Sequence, residues 1–229
     1  MYLYGASGHA RVVIDILEAS HEPISGLYDD NASISELRGY PVFRPREVQG
    51  PIIISIGNNE MRRKIADGLN APFGVAIHPS AIRSRSSILG EGTVVMQGAI
   101  IQSDVLIGRH CIINTGATID HECVIADFVH ISPNATLCGN VHIGEGTQIG
   151  AGSVVVPGVK IGKWSLIYAG SVVTRDLPDY CIAAGNRCKV MKIKTNSTQS
   201  VRGGGIQSPE IALNRLSGSH NSNRMNYAA

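Results

Sequence analysis

From Ile77 to Val173 this chain places an aliphatic residue at every sixth position, and only Arg83 breaks the series. Four residues after each of these comes a small or branched side chain, as at Ala81, Ser87, Thr93 and Ala99 and onward to Ser171. A helix of 3.6 residues per turn cannot hold a six-residue register, whereas a short strand followed by a Gly-rich corner can. Glycine recurs one or three places after the aliphatic, at Gly90, Gly92, Gly108, Gly144, Gly146, Gly150, Gly152 and Gly158. Each hexapeptide therefore forms one side of a triangular coil, and three sides make a coil of 18 residues. Residues 77 to about 176 should stack between five and six coils with no inserted loop. An Ile/Gly-rich β-sandwich would need sixteen hits in register by accident. With three Phe, seven Tyr and one Trp against 26 Gly, the core must be aliphatic, which suits thin repetitive β structure.

Residues 1–75 follow another pattern. A strand YLY leads into the turn GASGHA and then a stretch with Val12, Val13, Ile16 and Leu17 at helical spacing, which implies a βαβ unit. A second strand, ISGLYDD, ends in Asp29 and Asp30; a third, PIIISIG, runs into the helix NNEMRRKIADGL. Ligands of such sheets sit beyond the carboxyl ends of the strands, where Gly lets the backbone approach and helix N-termini face anions. Gly5, Ser7, Gly8 and His9 fall there, as do Gly57, Asn58 and Asn59. GASGHA matches GxGxxG only in part, so a purely structural turn is the competing reading. Asp29 and Asp30 can accept hydrogen bonds from a ribose or a base, or be a solvated turn.

A net charge of +2 without a basic stripe excludes a phosphate-backbone binder, so nucleic acid is not an expected partner. No apolar run reaches the roughly 18 residues of a membrane span, and the N-terminus is unlike a signal peptide, so a cytoplasmic, soluble protein is expected. The five Cys form no CxxC pair and are read as free thiols.

The repeats IGEGTQ, IGAGSV and IGKWSL resemble the hexapeptide acyltransferases. That resemblance implies a left-handed parallel β-helix, although parallel crossovers are normally right-handed, and it implies a homotrimer. YGASGHARVV, GLYDDN, IGNNEMRRKI and IDHECVIADFVHIS narrow it, over residues 1 to 192, to the family of sialic acid O-acetyltransferases and bacillosamine-type UDP-4-amino-sugar N-acetyltransferases. In that family the N-terminal module holds a nucleotide-sugar, which carries over to Gly5, Ser7, Gly8, Asp29, Asp30, Gly57 and Asn58. Acetyl-CoA is the implied co-substrate, transfer is direct, and no metal is implied.

Moving an acetyl group from a thioester to an amine needs a base beside the nucleophile and donors for the oxyanion. His121, flanked by Asp120 and Glu122, is the candidate base, one of the two acids orienting the imidazole. One coil later stands Gly139, which is either a corner glycine or the opening of a groove for the pantetheine arm. His130 is nine residues from His121, half a coil and on the order of 15 Å away at about 3.3 Å per residue. One subunit therefore cannot bring the two to one reacting atom, and a trimer can. The resemblance puts Asn114, Glu122 and His130 at that shared site, Asn114 toward the substrate and His130 with Gly139 toward CoA. His9, His78, His110 and His142 are read as structural or surface groups. HEC followed by VIAD is neither HExxH nor a deaminase motif, which excludes those zinc sites. Cys111 and Cys123 occupy inward positions and are read as structural thiols; Cys138 is the exception, next to Gly139.

Residues 177–194 leave the repeat and should cap the last coil at the end of a 76–176 domain. Where the family has a Gly-x-Pro-Ala-Lys-like stretch near CoA, this chain has Gly185, Asn186, Arg187, Cys188 and Lys189, of which Arg187 and Lys189 can meet a phosphate. Residues 195–229, rich in Ser, Asn, Gly and Arg, read as a disordered tail. The leading function is N-acetylation of a nucleotide-linked amino sugar, a UDP-4-amino-4,6-dideoxy sugar first, for bacterial glycan synthesis. O-acetylation of a sugar of the sialic acid type and a non-catalytic repeat scaffold are the alternatives.

Overall fold

The structure, a computed structural model, describes residues 1–194. The tail expected at 195–229 lies outside the described residues. Strand β1 (Tyr2–Tyr4) is followed by α1 (Gly8–Ala19), β2 (Gly26–Tyr28), β3 (Glu36–Leu37), β4 (Tyr40–Phe43), β5 (Ile52–Ile54) and α2 (Asn59–Gly68). The sheet order is β3-β4-β2-β1-β5. β1 pairs in parallel with both β2 and β5, Tyr4 lying opposite Tyr28 on one side and Ile54 on the other. The chain thus turns back across β1, and the crevice at such a switch point is where open α/β sheets bind ligands.

The β3–β4 hairpin is absent from the sequence reading. Its turn carries Arg38 at φ 56° and Gly39 at φ 84°, two successive positive values that match the right-handed twist of a hairpin. Arg at the first of these is an uncommon choice, so the composition of the turn concealed it. In α1 the buried stripe is Ala10, Val13, Ile14, Ile16 and Leu17, with Val12 only half-buried. That stripe packs on Leu3, Leu27 and Ile53 of the sheet and also on Ala76, Val94, Met96 and Ile112 of the second module. On the other face of the sheet, α2 contributes Ala66 beside Tyr4, Tyr28, Ile52, Ile54 and Phe128.

The second module is a triangular prism of seventeen two-residue strands, from Ala76–Ile77 to Val172–Val173, in three parallel ladders. Register between stacked strands is 18 residues, as Ile100, Thr118 and Thr136 show. The first face carries Val94, Ile112 and His130; the second Ile100, Thr118 and Thr136; the third Leu106, Val124 and His142. Both series of inward residues are buried along the prism, Ile77, Ala81 and Leu89 at its first coils being only partly so. Inward hydroxyls satisfy corner carbonyls: Thr93 Oγ1 donates to Gly108 O at 2.9 Å, Thr147 Oγ1 to Gly162 O at 2.7 Å and Ser153 Oγ to Tyr168 O at 3.0 Å. A polar residue inside the coil is therefore not left unpaired. Arg83, the break in the repeat, is exposed and turns its guanidinium onto the Ser87 hydroxyl and carbonyl at 2.9 and 2.7 Å.

Beyond the last coil, Cys181–Ala184 extends the first face in parallel and Lys189–Ile193 returns antiparallel to it. Leu177 and Cys188 bury into the end of the core. With Cys181 and Ala183 also buried, the segment plugs the core with four side chains while lengthening one ladder, rather than lying flat across the end.

Candidate active site

His121 lies in the corner between the second and third faces, after Thr118–Ile119 and before Val124–Ile125. Its backbone N–H donates to Asp120 Oδ1 at 2.8 Å, and its Nδ1 pairs with Glu122 Oε2 at 3.0 Å. The two flanking acids thus divide the work: Asp120 holds the backbone, and Glu122 addresses the ring. With Nδ1–H committed to a carboxylate, Nε2 is the basic edge. Both side chains are open to solvent, 57% and 65% exposed. Glu122 sits at φ 59°, the left-handed corner conformation that Gly takes in other coils, at a cost of about 1 kcal/mol.

Gly139 lies directly beneath the imidazole. A Cβ there would stand 2.6 Å from both Nε2 and Cε1 of His121. The missing side chain makes room for the imidazole itself, so the space above Gly139 is the seat of the ring and not an open groove for pantetheine. Cys138 beside it is half-buried. Cys111 and Cys123 are buried, and desolvation pushes their thiols up to about 12 and about 11, so both are inert structural groups.

Asn114 and His130 occupy the opposite side. Asn114 Nδ2 meets His130 Nε2 at 3.0 Å, while Asn114 Oδ1 accepts the Thr115 N–H at 2.8 Å. The first face carries the N-terminal module, α1 packing on Val94, Met96 and Ile112. Gly5, at φ 107°, ends β1, and a Cβ on it would stand 2.8 Å from Ile56 Cγ1 in the loop after β5. Ser7 caps α1 without a side-chain hydrogen bond, no acid follows in the first turn, and Gly8 has open space at its Cβ position among the described residues. The N-terminus of α1 is left as an uncapped set of N–H donors. Asn58, in contrast, accepts the Met61 N–H at 2.8 Å and closes the start of α2. Asp29 is tied up by the Ala6 and Asn31 N–H groups at 2.7 and 2.8 Å, so it shapes the two turns. Asp30 is exposed and, among the described residues, accepts only the Tyr4 hydroxyl, at 3.3 Å. Gly57 is half-buried beside a recess lined by Ile56, Asn58, Glu60, Met61 and Lys64.

The expected site residues therefore fall into two groups. Gly5, Ser7, Gly8, Asp29, Asp30, Gly57 and Asn58 sit at the strand ends and helix starts of the N-terminal module and Asn114 pairs with His130 on the prism, whereas His121, Glu122 and Gly139 ride the prism edge opposite the first face. Arg187 and Lys189 line a third place, a cavity of about 300 Å³ with Thr174, Arg175 and Cys188. Arg175 follows Val173 on the second face, so it occupies the same prism edge as His121, three coils further on. Coils of this kind are about 4.8 Å apart, which sets the basic cavity roughly 14 Å from the histidine. Arg175 went unnoticed in the sequence, although adding three coils of 18 residues to 121 points to it. Arg62 was missed as well: a buried Arg in a helix reads as a surface charge.

Residues 1–69 match the PglD N-terminal domain family, and residues 86–121, 122–156 and 140–175 match the bacterial transferase hexapeptide (six repeats) family. A histidine-to-asparagine variant of perosamine N-acetyltransferase from Caulobacter crescentus, in complex with CoA and GDP-perosamine, superposes with TM-score 0.79 at 36% identity, over 83% of this chain and 96% of that one. The chain belongs to the hexapeptide acyltransferases. Its prism is the left-handed β-helix of that family, as the resemblance implied. The acetyltransferase domain of PglB from Neisseria gonorrhoeae, in complex with acetyl coenzyme A, matches at TM-score 0.78 and 36% identity, over 83% of this chain and 98% of that one. The UDP-N-acetylbacillosamine N-acetyltransferase of Bacillus subtilis is 41% identical over 107 residues, 41% of this acyltransferase and 50% of that protein. The chain spans about half the length of that curated relative. Among the described residues no helix is long and apolar enough to cross a membrane.

Proposed function

We propose that this acyltransferase N-acetylates the amino group of a nucleotide-linked amino sugar, with acetyl-CoA as donor, in glycan synthesis. The observation that carries the reading is the division of the site: an imidazole backed by a carboxylate on one prism edge, and an uncapped helix N-terminus at a sheet switch point on the opposite side. The second feature suits the diphosphate of a nucleotide-sugar. The first suits proton removal from an attacking amine. His121 Nε2 takes the proton as the nitrogen bonds to the thioester carbonyl carbon, and returns it to the thiolate when the C–S bond breaks. Glu122 holds the ring and stabilises its charged form.

Because the two halves face away from each other, a second copy must supply the acceptor module to His121, and the site lies between subunits of a trimer. Ile88, Leu106 and Val124, stacked on the third face and 62%, 44% and 36% exposed, offer that contact an apolar strip. The arginine and lysine cavity three coils from His121 suits the phosphates of CoA, with Arg175, Arg187 and Lys189 as donors. The C. crescentus and B. subtilis relatives carry GDP and UDP in their names, so the nucleotide is chosen by assay. Purified protein, acetyl-CoA and a panel of UDP-, GDP- and dTDP-amino sugars are mixed, and free thiol release is followed. Release with an amino sugar and not with its hydroxyl counterpart supports N-acetylation; release only with hydroxyl sugars replaces it with O-acetylation. CoA binding without release from any sugar favours a scaffold, and a stable monomer by light scattering sinks the shared site.

A further inference from the structure

Arg62 is 1% exposed, and its guanidinium is fully engaged. Nε donates to the His110 carbonyl at 2.8 Å, Nη1 to the Ile56 and Gly57 carbonyls at 2.9 and 3.2 Å, and Nη2 to Asn59 Oδ1 and the Phe128 carbonyl at 2.8 and 3.0 Å. Its five N–H groups meet five acceptors. Ile56 and Gly57 belong to the loop after β5, whereas His110 and Phe128 are prism corners, so one side chain spans both modules.

None of these acceptors is a carboxylate, and among the described residues the charge forms no ion pair. Burial lowers the Arg62 pKa to about 10, a mark of the desolvation it bears. A contact that only fastened the modules would be served as well by apolar packing, without that cost. The charge acts on neighbours instead. Asn114 Oδ1 is taken by the Thr115 N–H, so Nδ2 must donate to His130 Nε2, and the His130 proton resides on Nδ1. That Nδ1 is buried and has no hydrogen-bond partner among the described residues. Burial and then Arg62 depress His130 to about 3 and His9 to about 4, keeping both rings neutral. Arg62 thus ties the Gly57 loop to the Phe128 corner, two residues before His130.

We propose that Arg62 is a positioning residue for acceptor binding, fixing the Gly57 loop against the Phe128 corner that leads into the His130–Asn114 pair, without touching the ligand. This rests on the acceptor site proposed above. Arg62→Lys and Arg62→Gln are compared with the wild-type enzyme after circular dichroism and light scattering. Arg62→Lys should raise the acceptor KM by about 10- to 100-fold, the scale of a misplacement near 1 Å, with the acetyl-CoA KM within about twofold. In Arg62→Gln the Cε1 proton of His130 should titrate at higher pH by NMR.

An unchanged acceptor KM in folded Arg62→Lys, with only a lower melting temperature, overturns the proposal, and so does an equal rise in both KM values. If Arg62→Gln does not fold, Arg62→Lys carries the test alone. If wild-type enzyme turns over no amino sugar, the acceptor reading fails separately, and calorimetric titration with UDP and GDP alone decides. Weaker nucleotide binding by Arg62→Lys then upholds the positioning role; equal binding, or none by either protein, removes it.

Discussion

The prism edge and the junction under the N-terminal module use histidine in opposite ways. His121 is exposed and paired with a carboxylate; His9, His110 and His130 are packed around Arg62, each with a buried ring nitrogen that has no partner. Desolvation first, then the Arg62 charge at His9 and His130 and the Arg109 charge ahead of Arg62 at His110, push His9, His110 and His130 down to about 4, 4 and 3. A base must change its protonation state in turnover, so it belongs where water and an acid can support the charge. A group that shapes a pocket is better kept neutral and still. The junction holds its polar side chains at a cost that the repeat interior, with every hydroxyl on a corner carbonyl, avoids.

Several substitutions can break this division. The largest effect should come from His121→Ala, with kcat lowered about 100-fold or more, the scale of a lost general base, and little change in melting temperature. If His130→Ala matches it and shifts the pH profile alike, the two regions share the proton transfer and the contrast fails. Gly139→Ala puts a methyl where the His121 ring lies, and a kcat loss of roughly 10- to 100-fold is expected from the displaced base. Wild-type kcat in a folded Gly139→Ala would show that the ring has another productive seat.

The junction predicts acid lability. The folded pKa of His110, about 4, lies below its ordinary 6.5, so the unfolded chain takes up the proton first as pH falls. Its stability contribution is whole above pH 6.5 and is lost between 6.5 and 4, by about 3 kcal/mol at full shift. Urea unfolding of His110→Phe, which keeps the stack on Phe128 and the edge contact with Phe73, should show a shallower loss between pH 7 and 5. An identical pH slope would clear His110 of the effect. Smallest, Arg175→Ala should raise the acetyl-CoA KM by about tenfold, the worth of one charge-assisted hydrogen bond, with kcat unaffected; an unchanged KM would move the phosphates away from this cavity.

Most of the prism was legible in the sequence because a repeat states each local rule many times over. Ile119 and Cys123 declared themselves inward by register, and His121 outward. The β3–β4 hairpin was hidden because its turn relies on Arg38 in a conformation that Arg seldom adopts. Gly139 was found by coil arithmetic, but arithmetic could not say whether the space beside it was empty or filled by His121. Arg62 was illegible for another reason: its five acceptors come from three separate stretches, residues 56–59, His110 and Phe128, and no local pattern records their convergence.

By itself, then, the six-residue period determined the triangular coil, the inward residues and the outward placement of His121, since side-chain direction in short strands follows from counting. Tertiary structure decided which face the N-terminal module covers. With that came the separation of His121 from the residues at the module junction and the burial of Arg62 among carbonyls. Packing between modules depends on surfaces that meet only once, and no periodicity in the chain encodes a single meeting.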